Sequence, residues 1–168
     1  MISRIALASL GALALAGCGD NSADEAAAPE PVLTPNPTPT AAADGGALTP
    51  GSWQIGEDAS GAIAAFGEAD SEPLLTIACN NANGTLTMRR ADTAAGAFTV
   101  EANGTAAKVD MTAAQDALPM VEAAIDPGAP VFAAATDPAA TLSITSPAGD
   151  TIRVPGAPGL RRVIEACS

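Results

Sequence analysis

The side chains able to do chemistry in this sequence are few, and there is no histidine among them. Without imidazole there is no Ser-His-Asp or Cys-His pair and no histidine-ligated metal. Ser-x-x-Lys, Gly-x-Ser-x-Gly, a Walker-type phosphate loop and Gly-x-Gly-x-x-Gly are all missing too. Carboxylates are plentiful, so a pair of facing acids could still hydrolyse a glycosidic bond. Such clefts are usually lined with aromatics, which make up only 2% of this chain, and the one tryptophan, Trp53, reads as a core anchor. In "GEADSE", Glu68, Asp70 and Glu72 alternate and could offer oxygens to calcium. The run lacks the ligand density and glycine spacing of an EF-hand loop and reads as a solvated acidic loop, so no metal is expected.

Two further sets remain. Arg89-Arg90 and Arg161-Arg162 are the only basic pairs, and they would form one anion patch if the terminal helix lay beside the strand carrying the first pair. Surface ion pairs of small net value are the plainer reading. Cysteines stand at 18, 79 and 167. A reactive thiol wants a neighbouring base, and with no histidine and only Lys108 a cysteine catalyst is not expected. No cofactor is implied.

The 19 acids and 7 basic residues give a net charge of −12. That balance argues against nucleic acid and anionic lipid as partners, since both need a basic surface.

At the amino terminus Arg4 precedes a 12-residue apolar stretch, Ile5–Ala16. A spanning helix needs about 20 apolar residues, so this is a signal rather than an anchor. The segment Leu15-Ala16-Gly17-Cys18 resembles the bacterial lipobox. The resemblance implies removal of residues 1–17 as a signal peptide and lipid transfer to the Cys18 thiol. Two or three acyl chains would anchor the protein without a transmembrane helix, at about 0.8 kcal/mol per buried methylene. Membrane lipid is thus the first expected partner. Gly19, where enterobacterial inner-membrane lipoproteins carry aspartate, favours the outer membrane over the inner, with Asp20 a counterweight. The domain is then expected in the periplasm or at the cell surface.

Residues 18–50 are rich in Pro, Ala and Thr and have little with which to build a core, so a disordered tether is expected. The folded part is assigned to residues 51–168 as a single β-rich domain. "GSWQI" carries Trp53 and Ile55 on one face, and a second strand is centred on Ile63 and Phe66. "LLTIAC" aligns Leu75, Ile77 and Cys79; "TLTMRR" turns Leu86 and Met88 inward and Thr85, Thr87 and Arg89 outward. Asn83-Gly84 and Asn103-Gly104 each sit between alternating runs and predict hairpins. "LPMVEAAI" fits strand or helix, and "DPGAPVFAAATD" suggests a helical turn. "ATLSIT" and "DTIRV" alternate around "SPAG". In "APGLRRVIEACS", Leu160, Val163, Ile164 and Cys167 share one helical stripe, with Pro158 in the first turn. The expected class is α+β, mainly β: an antiparallel sheet built from hairpins, a sandwich being one form of it, with a C-terminal helix packed on it.

With Cys18 committed to lipid, Cys79 and Cys167 are left on two buried faces, and outside the cytoplasm such thiols pair. Their disulfide would pin the helix to the sheet.

Assembled, the pattern resembles the small lipoproteins of alphaproteobacteria that have no assigned activity. The features are Trp53, Phe66-Gly67, "LLTIAC" ending at Cys79, "LTMRR", a late proline and "GLRRVIEAC". A fainter likeness, in fold style, is to invasion-associated, disulfide-bonded β domains. The resemblance implies a disulfide-closed envelope domain and transfers no catalytic residue. The expected function is therefore a non-enzymatic lipoprotein that binds or supports an envelope protein. The alternative is a small carboxylate-dependent hydrolase acting on envelope glycan.

Overall fold

Alternating side chains set the inside and outside of nearly every element. The computed structural model describes residues 41–42 and 45–168. The signal segment, Cys18 and most of the 18–50 tether lie outside the described residues. Among the described residues nine strands form: β1 (Ser52–Asp58), β2 (Gly61–Gly67), β3 (Leu75–Asn80), β4 (Thr85–Ala91), β5 (Gly96–Ala102), β6 (Thr105–Ala113), β7 (Met120–Ala124), β8 (Thr141–Thr145) and β9 (Thr151–Pro155). Two short helices accompany them, α1 (Pro130–Ala134) and α2 (Gly159–Glu165). "LPMVEAAI" resolves as a strand, β7.

The strands make one antiparallel sheet in the order β1-β2-β3-β4-β7-β6-β5-β8-β9. Hairpins build both wings, and the central β5-β6-β7 meander is inserted in reverse. The sheet curls into a half-barrel. Its two ends meet at a seam where the Trp53 indole Nε1, on β1, donates a 2.7 Å hydrogen bond to the Pro155 carbonyl of β9. The chain ahead of β1 lies along β9: Thr49 N donates to Arg153 O (2.8 Å), and Arg153 N donates to Thr49 Oγ1 (3.0 Å). Packing thus takes in residues before position 51.

The interior is a single apolar cluster. Trp53, Phe66, Leu75, Ile77, Met88 and Phe98 are fully buried within it, and Trp53 meets Phe66 edge-on at 5.3 Å between ring centroids. Along β2 the buried positions are Ala62, Ala64 and Phe66, while Ile63 faces out. The parity of Phe66 decides that phase, and Ile63 cannot share it.

The two Asn-Gly hairpins differ. Asn103 and Gly104 both take positive φ, 48° and 78°, in a tight two-residue turn. The β3–β4 turn is longer, with only Gly84 left-handed (φ 64°). There Asn80 and Asn83 accept hydrogen bonds through their side chains from the amides of Ala82 and Thr85. These local Asx bonds stabilise the wider loop.

Helix α1 packs on β5 and β6, and α2 packs on β2 and β3. Leu160, Val163 and Ile164 of α2 enter the core. The Cys79–Cys167 disulfide follows the helix and ties it to β3, with Cα atoms 5.6 Å apart.

Candidate functional site

The outer face of β2, β3, β4 and β7 carries two cross-strand rows of side chains. One runs Ile63, Ala78, Thr87, Ala124 and the next Ala65, Thr76, Arg89, Glu122. In the middle of both, β3 contributes only Ala78 and Thr76. Ala78 lies between the larger Ile63 and Thr87, and in the next row Ala65 and Thr76 lie beside the larger Arg89, so the sheet surface is low along β3. A shallow trough results, in two lobes of about 530 and about 410 Å³ that share Ile63 and Arg89. The β6–β7 loop overhangs the second lobe with Asp116 and Leu118. Ile63 (44% exposed) and Leu118 (49%) are the exposed large hydrophobic side chains among the described residues, and both line this lobe. Single exposed aliphatics are ordinary; two on one concavity are not.

Charge surrounds this apolar strip. Arg89 pairs with Asp116 and, through Nε at 3.2 Å, with Glu122. At the far end Glu57 lies 3.8 Å from Arg162. Asp58 serves the β1–β2 turn, accepting from the Ser60 hydroxyl, the Ser60 amide and the Gly61 amide. Those bonds, the Ser60 hydroxyl's first, hold its carboxyl below the usual aspartate value. A general acid needs the opposite shift. Glu57, Asp58 and Glu122 all line the first lobe, and each is engaged in these contacts.

The four arginines of the expected anion patch do not converge. Arg89 is on the outer face; Arg90, the next residue, points into the core at 3% exposure. Its Nη1 donates to the Ile144 carbonyl of β8 (2.8 Å) and Nη2 to the Asp150 carbonyl (3.2 Å). Asp92 lies 3.4 Å from Nη2, and the guanidinium carbon sits 5.3 Å from the Phe98 ring centroid. Arg90 Nε has no hydrogen-bond partner among the described residues. Burial pushes this guanidinium below the usual arginine value, and Asp92 and Asp150 act the other way. Arg161 and Arg162 belong to α2, which packs on β2 and β3 rather than beside β4. Strand alternation is the reason: residues of one pair must face opposite sides.

The signal for this was present in "TLTMRR". The parity that turns Leu86 and Met88 inward also turns Arg90 inward. Charge alone argued otherwise.

The Glu68, Asp70 and Glu72 run forms the exposed β2–β3 turn, with Asp70 at φ 59°. Among the described residues no three acids or thiols gather closely enough to hold a metal ion. No family model matches the chain, and no curated protein or solved structure matches it.

Proposed function

We propose that this chain is a non-enzymatic cell-envelope lipoprotein whose β domain docks an envelope protein. A lipid on Cys18 anchors it, with the outer membrane favoured, and the Pro/Ala/Thr-rich segment lifts the domain off the bilayer. The observation that carries the docking role is the trough, where Ile63 and Leu118 stand exposed on one concavity while the neighbouring polar groups are engaged with one another. That is the make-up of a recognition surface: apolar anchors within a polar rim.

Two measurements test it. Intact mass of the membrane-extracted protein should show an acylated residue at Cys18, and Cys18→Ser should release the chain to the soluble fraction. A photo-crosslinking side chain at position 63 or 118 should trap one defined envelope protein in cells, and the same group at Ala106, exposed on β6, should not. An unmodified Cys18 overturns the anchor; equal labelling at all three positions overturns the docking face.

A further inference from the structure

Resting on that docking role, we infer that the occupant of the trough is an extended, basic segment of another protein, with aliphatic side chains between its cations. Three observations converge on this. The first is charge. Glu57, Asp58, Glu72, Asp116 and Glu122 line the two lobes with Arg89, a formal charge of −4, and one of −3 when Arg162, beside Glu57 at the far end, is counted with them. Arg89 is itself covered by two of those acids, so the trough presents carboxylate and not guanidinium.

The second is shape. From Asn80 in the first lobe to Thr76 in the second, the floor follows β3 for four residue steps, about 13 Å at strand rise. A peptide of about four or five extended residues has that length. Its alternate side chains would point down to the small floor residues Ala78 and Thr76, between Ile63 and Leu118. The residues between those would point toward the acids of the rim.

The third is exclusion of other occupants. The protein's own segment from Gly19 to Asp44 has no lysine or arginine and carries Asp20, Asp24, Glu25, Glu30 and Asp44. A second copy brings a net −12. Both are repelled, as are anionic lipid and nucleic acid. Like-charge contacts of this kind reject wrong partners as effectively as opposite charges attract the right one.

The test has two arms. In the first, the segment trapped by the crosslinker at 63 or 118 is sequenced by mass spectrometry. A segment holding two or more Lys or Arg around an aliphatic residue supports the inference. An acidic or uncharged segment, a second copy of this chain, or a lipid overturns it while leaving a docking face in place. No adduct at either position overturns the inference and the docking role together.

In the second arm the full-length chain is titrated with the acetylated peptide Lys-Leu-Lys-Leu-Lys, and amide shifts are followed by NMR. Shifts should concentrate on Ile63, Thr76, Ala78 and Arg89. The Glu-Leu counterpart should give none, and Glu57→Gln with Glu72→Gln should weaken binding about tenfold. Equal response to both peptides, or shifts elsewhere, overturns the inference.

Discussion

Arg89 and Arg90 are the same residue type one peptide bond apart, and they differ in almost every other respect. Arg90 reaches across the hollow of the sheet from β4 to a carbonyl of β8, sealed from water. Arg89 lies on the opposite surface among partly exposed partners, tied to Asp116 and Glu122 at the solvent boundary. The inner face is fixed by contacts with no substitute: carbonyls, an aromatic ring, a disulfide. The outer face is held by ion pairs that water and salt can replace. One surface keeps the fold; the other is the face proposed to meet a partner.

This contrast should be broken most severely at the disulfide. Replacing Cys79 and Cys167 by alanine releases a link with sequence separation 88, costing about 4 to 5 kcal/mol in the chain-entropy account. Urea melting of the oxidised and double-alanine proteins measures it. Arg90→Ala comes next: it takes the guanidinium from the buried Ile144 carbonyl and the ion pair from half-buried Asp92, a loss of about 3 to 5 kcal/mol, read by the same melts. Trp53→Phe keeps an aromatic side chain but removes the N–H that the Pro155 carbonyl accepts and leaves a gap where the larger indole packed, for a loss of about 1 to 3 kcal/mol. Arg89→Ala should cost under about 1 kcal/mol, because its pairs are partly exposed and screened. If Arg89→Ala and Arg90→Ala destabilise equally, the division between the faces fails.

The smallest effect concerns acid. The folded pKa of Asp58 is depressed, so its turn bonds contribute fully above the ordinary value near 3.8 and are lost as pH falls through the lower folded value. Asp58→Asn should remove that component of acid sensitivity below pH about 4, visible as a flatter stability–pH curve.

Much of the architecture was legible because strands and helices carry periodic signals. Leu75-Ile77-Cys79, Leu86-Met88 and the Leu160-Val163-Ile164 stripe all lie where their spacing put them. The pairing of Cys79 with Cys167 followed from the faces they share with those residues. Strand order was not legible: nothing local in "MVEAA" says that it pairs with β4 rather than only with its hairpin neighbour. The trough was hidden for the same reason. Its floor exists only because Ile63 falls opposite Ala78, and Thr76 opposite Arg89, and register is a long-range property. The inward turn of Arg90 was in plain view and was masked by the habit of placing charges outside.

The seam between β1 and β9 has a practical consequence. With one tryptophan and no tyrosine in the chain, near-ultraviolet emission comes almost wholly from the ring that bonds Pro155 and abuts Phe66. The molecule therefore carries its own optical gauge at the place where the curl joins up. A red shift of that emission with the far-ultraviolet circular dichroism unchanged would report the gap opening to water while the rest of the half-barrel stayed intact.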